Sequence, residues 1–567
     1  MKDLFICYDL TQKLLDRFKK IFLFLYYPLD NITFKIIGDF GKWQLKIGIL
    51  MALLKLPMAW YQLNILFLAP QQNFWCAKPN SCSHYTDVEW REICLPKIEE
   101  HPCLIFDPDI LSVVPFMDRS LIPLVPCKEF VYDTSVFSRT IISDWNLVCS
   151  RHWLIHFTQA VMMWGVVVGG ILFPMWADKY GRKGPLMAGI VIQCIAGFFT
   201  SVLRQYWTFL ISWFILAVAT GGLGVISFVM SIEVVSGKWR TVIPILYQMP
   251  FGLGNTILAG LAYLLRDWRH LEFALAMLSS LFVLYYYTIE ESPRWLLATG
   301  QTEKACEILE KAAIMNGREK VFKSMKYTLL SQKISKQKTP GFTAFIKSKY
   351  LRKNTLLLSF NWFCTGLSFF TFSQYLGYIG NNIYLAISFT GLISVPGCLL
   401  CLLIITRFGR KTTVWVFQTI SSSCFVLILL IPKEKFTNDW PRLVVAGLGF
   451  AGLSGAVPAL YLYTGELFPT LGRNAGVGGV TTFARIASMV APGIVTLDEV
   501  IPDLPLILIA IVSFCQLALL LPLPETKGLP LSDTLEEAER YSLKKVRDNF
   551  LNITFCVFVV STYCGPS

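Results

Sequence analysis

The chain has 567 residues, 54% of them hydrophobic and 16% charged, with 42 Phe, 22 Tyr and 16 Trp. A soluble core of this length carries more charge than that, so the composition excludes a soluble globular protein and points to an all-α chain whose solvent is lipid. The net charge of +13 is accounted for by a basic inner face attracted to anionic lipid, with no nucleic acid as partner.

A helix needs about 20 mainly apolar residues to cross about 30 Å of hydrocarbon. Twelve such runs start near Lys46, Leu154, Pro185, Tyr206, Val242, Leu271, Thr355, Ile383, Thr412, Arg442, Arg473 and Asp503. The spacing predicts an N-terminal segment at 1–44, a six-helix half at 45–288 with a long loop at 71–153, a polar central segment at 289–354, a second six-helix half at 355–523 and a tail at 524–567. The N-terminal segment lacks the pattern of a cleavable signal. It has a short apolar patch at 21–29, and the tail has another at 550–564.

Orientation follows from the loops, because cytoplasmic connections carry the excess of Lys and Arg. Residues 289–354 hold 14 basic and 6 acidic side chains, whereas 71–150 hold 6 basic and 11 acidic. The central segment is therefore expected inside with both termini, and the long loop outside. Six of the 16 cysteines fall in that loop: Cys76, Cys82, Cys94, Cys103, Cys127 and Cys149. An even number in an oxidising compartment predicts three disulfides, of unassigned pairing. Their spacing lacks paired zinc ligands.

Gly-Arg-Lys occurs twice, at 181–183 and 409–411, each time in a short basic gap between apolar runs. This reads as two related halves, the plan of many secondary transporters. Enzyme chemistry finds no support. Gly447-Leu-Gly449-Phe-Ala-Gly452 lies inside an apolar run, where small residues serve helix packing. The sequence has no G-x-x-x-x-G-K-[ST] loop for nucleotide, and the five histidines form no metal cluster.

Several further motifs stand in order along the chain. They are Gly38-Asp39-Phe40-Gly41-Lys42-Trp43-Gln44, Tyr132-Asp133-Thr134-Ser135, Ser143 to Cys149, Ala177 to Lys183, Glu291-Ser292-Pro293-Arg294-Trp295-Leu296, Gly465-Glu466-Leu467-Phe468-Pro469-Thr470 with Arg473, and Leu523 to Gly528. Over about 38–539 the sequence resembles the organic cation, organic anion and carnitine transporters of the major facilitator superfamily. The resemblance implies twelve helices in two pseudo-repeat halves, small organic ion substrates, a plasma-membrane location and alternating access. It implies no cofactor and leaves a co-transported sodium or proton open. Pro174 stands where the family has Gly, Thr406 where the second repeat has Asp, and Glu290 where Pro is usual.

By the same resemblance, Asp178, Arg182, Glu233, Arg240, Glu291, Arg294, Arg410, Glu466 and Arg473 serve gating or structure. Asp178 and Arg182 are four apart and Glu233 and Arg240 seven apart, spacings that share a helix face. Glu466 is expected to pair with Arg473. For substrate, an intramembrane ionisable group is a functional candidate by default. Arg485 suits a carboxylate, which its guanidinium grips with two prongs; Lys55 is either a ligand contact or a snorkelling side chain. Trp362 and Phe369, seven apart, offer aromatic faces to a cationic head, with Tyr247, Gln248, Tyr461 and Tyr463 as weaker candidates. Ser394 stands where the family carries an acid, which favours a carboxylate-bearing substrate. The expected cargo is a zwitterion such as carnitine or an organic cation; an organic anion, or a receptor-like member that does not transport, is the alternative.

Overall fold

A computed structural model describes residues 29–70, 72–78, 103–107, 123–331, 342–376, 382–432, 435, 439–468, 473–499 and 501–527. Cys82, Cys94, the side chain of Arg473 and the apolar patch in the tail lie outside the described residues. Among those described, eleven helices are long and apolar enough to cross a membrane: Lys42–Leu68, Cys149–Tyr180, Lys183–Val202, Tyr206–Glu233, Trp239–Leu265, Trp268–Thr288, Leu351–Tyr375, Ile383–Phe408, Arg410–Leu430, Trp440–Leu467 and Ala475–Asp498. They are numbered here as the first to eleventh spans. A twelfth apolar helix, Leu504–Leu520, has 17 residues, at the short end of what reaches across.

Large apolar side chains face outward from these helices, Leu264 at 74% and Leu430 at 73% exposure among them. Lipid is the matching solvent for such a surface. Prolines at 174, 244, 396, 458 and 492 sit inside helices. Each removes a backbone donor and bends its helix, which packed membrane helices tolerate. The first span is itself broken, into Lys42–Leu53, Lys55–Leu63 and Ile65–Leu68.

The two halves repeat one packing plan. The second span packs on the fourth, the first on the fifth and the third on the fourth and sixth; correspondingly the eighth packs on the tenth, the seventh on the eleventh and the ninth on the tenth and the last helix. Between halves, the second span meets the eleventh and the fifth meets the eighth. Small residues set these approaches. A Cβ on Gly169 would fall 1.8 Å from the Val218 carbonyl oxygen, and one on Gly452 would fall 2.4 Å from Ser421 Oγ, which assigns the glycines of the tenth span to helix packing.

At one end of the bundle, strand Phe74–Cys76 pairs antiparallel with Phe130–Tyr132, and Leu104–Phe106 with Leu124–Pro126. Disulfides join Cys76 to Cys127 and Cys103 to Cys149. At the other end, helices Pro293–Ala298, Thr302–Met315 and Glu319–Ser331 pack on helix Leu29–Ile37. Asn316 is the fastening: its Oδ1 accepts from the Trp43 amide (3.0 Å), and its Nδ2 donates to the Ile37 carbonyl (2.9 Å) and Gln44 Oε1 (2.8 Å). Glu290 accepts from Trp43 Nε1 at 3.2 Å, which gives this departure from the family pattern a partner.

Candidate substrate site and its latches

A cavity of about 150 Å³ lies between the halves, lined by Lys55, Met58 and Gln62 of the first span, Met163 and Val166 of the second, and Gln248, Phe251 and Asn255 of the fifth. The second half contributes Trp362, Phe369, Ser394, Phe450, Tyr461 and Arg485. A wider chamber of about 730 Å³, lined by Gln72, Asp133, His156, Gln159, Arg266 and Asp498 among others, opens toward the disulfide-bonded loop.

Charge in the central cavity is one-sided. Lys55 and Arg485 both line it, and no Asp, Glu or His does among the described residues. Lys55, 7% exposed, holds its Nζ 4.7 Å from the centre of the Tyr247 ring. Arg485 reaches across the interface between halves, where Nη1 donates to the Val166 carbonyl at 3.0 Å. A Cβ on Gly170 would lie 1.7 Å from that nitrogen, so only glycine leaves room for the guanidinium there. Among the described residues no carboxylate forms a salt bridge with either cation. Gln248 Nε2 and Asn255 Oδ1 are buried on the same walls without a hydrogen-bond partner. Two cations and unspent polar atoms at membrane depth are costly unless a partner in the cavity answers them.

Aromatic rings line the same cavity. Trp362 donates from Nε1 to Thr464 Oγ1 at 3.0 Å, and its ring stands edge-on to Tyr461 with centroids 4.4 Å apart. Phe369 meets Phe450 at 5.3 Å and Phe251 at 6.3 Å. Tyr461 touches Phe228 of the first half at 5.1 Å. Ser394 spends its hydroxyl on the Gly391 carbonyl at 2.7 Å. Thus Arg485, Trp362, Phe369, Gln248, Ser394, Tyr461 and Lys55 converge on one cavity. Two candidates stand apart from it. Tyr247 lies behind Lys55 with its hydroxyl on Ser227 (2.6 Å) and the Gly224 carbonyl (3.3 Å), and Tyr463 is turned to the Pro524 carbonyl.

At the Gly-Arg-Lys end each half carries a latch. Arg182, 6% exposed, pairs with Asp178 at 2.9 Å and Glu233 at 3.2 Å. Burial alone lowers its pKa, but the two carboxylates outweigh burial and hold the guanidinium above its ordinary value. Glu291 accepts from the backbone amides of Arg182 (2.7 Å) and Lys183 (3.1 Å), capping the third span, and Ser292 Oγ donates to Glu233 at 2.6 Å. Arg294 lies close enough to act on Glu233 as well. In the second half, Arg410 forks onto Glu466 (2.9 and 3.0 Å), Glu525 accepts from the amides of Arg410 (2.9 Å) and Lys411 (3.0 Å), and Thr526 Oγ1 donates to Glu466 at 2.7 Å. Gly181 and Gly409 match in backbone, with φ of +105 and +112.

Glu466 takes Arg410, whose fork presents two donors to both carboxylate oxygens, while the Arg473 side chain expected to pair with it lies outside the described residues. One expected pairing is corrected. Glu233 and Arg240 do not share a helix face: the helix ends at Glu233, Gly237 turns at φ +57, and Trp239–Leu246 starts a new helix. Four functional positions escaped the sequence reading. Glu525 corresponds to Glu291 at the end of the other repeat, and that correspondence was the available signal. Phe251 and Asn255 are four apart on one helix face, Asn255 being a polar residue in an apolar run; Gln62 is polar within the first span.

Comparison with known proteins agrees with this architecture. Residues 128–540 match the sugar (and other) transporter family. An organic cation transporter protein of Drosophila melanogaster is 30% identical over 519 residues, covering 90% of this chain and 94% of its own. Solute carrier family 22 member 3 of Rattus norvegicus is 32% identical over 536 residues, covering 90% and 96%. Among solved structures, the proton:xylose symporter XylE bound to 6-bromo-6-deoxy-D-glucose superposes with a TM-score of 0.58 at 15% identity, covering 88% of this chain and 99% of its own. The inward open form of XylE from E. coli gives 0.55, also at 15% identity. The chain is a multi-pass membrane transporter with the major facilitator fold, and it belongs to solute carrier family 22 within the sugar (and other) transporters.

Proposed function

We propose that the protein is a secondary transporter of small organic anions bearing a carboxylate, working by alternating access in the plasma membrane. The observation that carries this reading is the pairing of Lys55 with Arg485 in a cavity whose described lining has no carboxylate. The names of several relatives refer to organic cations. A bare cation would meet two like charges here, and juxtaposed like charges cost several kcal/mol. A carboxylate would accept from the Arg485 fork and from Lys55, with Gln248 Nε2 as a further donor.

The latches give the reading its two states. Arg410 Nη2 donates to Thr241 Oγ1 of the first half at 3.3 Å, so the Gly-Arg-Lys end is tied shut while the wider chamber lies at the loop end. With the excess of Lys and Arg on the central segment, the latched end is assigned to the cytoplasm and the chamber to the outside. Opening inward requires these charge-assisted bonds to break together, a bistable arrangement suited to rocking of one half against the other.

A zwitterion such as carnitine is the second reading, favoured by the rings of Trp362, Phe369 and Tyr461 in the lining of the same cavity. Aromatic faces hold a quaternary ammonium with up to about 2 kcal/mol when water is excluded. Uptake of labelled urate or a dicarboxylate, of carnitine and of tetraethylammonium into cells expressing the chain separates the readings. Anion uptake is expected; carnitine alone would establish the zwitterion, and tetraethylammonium alone would refute both.

A further inference from the structure

Glu272 is fully buried in the sixth span, one turn in from its start at Trp268. It accepts on Oε1 from Nδ2 of Asn64, also fully buried, at the break in the first span between Lys55–Leu63 and Ile65–Leu68. The remaining polar atoms of the pair, Glu272 Oε2 and Asn64 Oδ1, have no hydrogen-bond partner. With the carboxyl ionised both are acceptors, and a buried acceptor without a donor is costly. A proton on the carboxyl turns Oε2 from an acceptor into a donor, and Asn64 Oδ1 is an unspent acceptor on the residue already bonded to Oε1.

No cation offers an alternative. The first span brings Tyr61, whose hydroxyl accepts from Ser279 at 3.4 Å, and the third brings Cys194 and Thr200; the Thr200 hydroxyl lies close enough to act on the Glu272 carboxyl, but its proton goes to the Gly197 carbonyl at 2.7 Å. Helix Met249–Leu265 has Tyr263 as its one titratable side chain, 53% exposed and edge-on to Tyr384, and the turn Leu281–Leu284 has none. On the sixth span itself Arg269 is turned to Asp144 (3.0 Å) and His270 to Asp267 (3.9 Å). An ionised carboxylate enclosed without a cation is far more costly than a neutral acid.

We propose that Glu272 is a proton-binding site, a neutral acid paired with Asn64 in this conformation, which releases its proton when the outer part of the first span moves. Asn64 lies about 14 Å along that span from Lys55, at the break between Lys55–Leu63 and Ile65–Leu68; rocking of rigid halves leaves the pair intact, so it is bending of the first span at this break, within its half, that parts Asn64 from Glu272. Water then enters and accepts the proton, leaving a carboxylate; return of the span reverses the step, and no other bond changes. The coupling rests on the alternating-access reading above, whereas the protonation does not.

Infrared difference spectroscopy of the full chain in lipid nanodiscs near neutral pH tests the site directly. A protonated-carboxyl C=O band in the native protein that is missing from Glu272→Gln is expected; no such band, or an identical band in the variant, overturns the proposal. If Glu272→Gln fails to fold, Asn64→Leu takes its place: the band is expected to shift as its hydrogen bond is lost, and an unshifted band overturns the pairing. In proteoliposomes carrying a pH-sensitive dye, substrate uptake is expected to move protons in the native chain and not in Glu272→Gln. Uptake with no dye response in the native chain overturns the coupling. A native chain without any uptake removes the transport reading and the coupling together, while the infrared band decides the proton site separately.

Discussion

Four buried or half-buried cations divide into two kinds. At the latched end, Arg182 and Arg410 are closed by carboxylates: Arg182 by Asp178 and Glu233, Arg410 by Glu466. In the central cavity, Lys55 and Arg485 have a ring face and a backbone carbonyl and, among the described residues, no acid. The same residue type thus does opposite work. A cation that meets its acid within the protein stores a reversible conformational contact, and one left without an acid is set to recruit it from outside.

The two latches differ in turn. The first half supplies a second carboxylate, Asp178, whereas the second half has Thr406 at the matching position, its hydroxyl turned back to the Leu402 (3.1 Å) and Leu403 (3.0 Å) carbonyls. Arg410, with one acid fewer, extends Nη2 to Thr241 of the opposite half. The first latch therefore consolidates its own half, and the second ties the halves together.

Substitutions that break or sharpen this contrast fall in order of expected effect. Glu233→Gln strips the buried Arg182 of its main partner, and breaking such a pair costs about 3–5 kcal/mol; a lowered melting temperature is expected from thermal unfolding, with the balance between inward- and outward-facing states unchanged in accessibility labelling. Lys55→Met removes one of the two free cations and is expected to weaken anion affinity by about 10-fold, the size of one charge-assisted hydrogen bond, without lowering the melting temperature. Thr241→Val deletes the one bond from Arg410 across the halves, about 1 kcal/mol, and is expected to raise the inward-facing fraction several-fold in distance measurements between labelled halves. Thr406→Asp restores a carboxylate at an exposed position, worth about 0.2–1 kcal/mol, so only a slight strengthening of the second latch is expected by the same measurement. Equal shifts from Thr241→Val and Thr406→Asp, in the same direction, would erase the distinction between the latches.

Much of this was legible in the sequence because lipid imposes coarse rules. The spans follow from apolar run length, and the latch residues from a motif written twice. Arg485, Lys55 and Trp362 could be singled out because charge and amphipathic rings are conspicuous in an apolar run. Pairing was not legible. That Glu466 meets Arg410 depends on how the tenth span passes the ninth, and whether Glu233 shares a face with Arg240 depends on the helix break at Gly237, neither of which helical periodicity encodes. Tyr247 was misplaced for the same reason: it lies on the fifth span beside Gln248, and one residue is about 100° of helical rotation, enough to separate a lining side chain from one behind the wall. Glu272, next to the start of its apolar run near Leu271, was not singled out; its enclosure by the first and third spans exists only in three dimensions.

The measurement closest to the central claim is equilibrium binding of the transported carboxylate to purified native protein and to Arg485→Ala. A guanidinium that has no acid among the described residues and recruits one from the substrate predicts an affinity loss of about 10- to 100-fold with the melting temperature of the unliganded protein unchanged. Equal affinity in the two proteins would contradict the account and return Arg485 to a role in joining the halves.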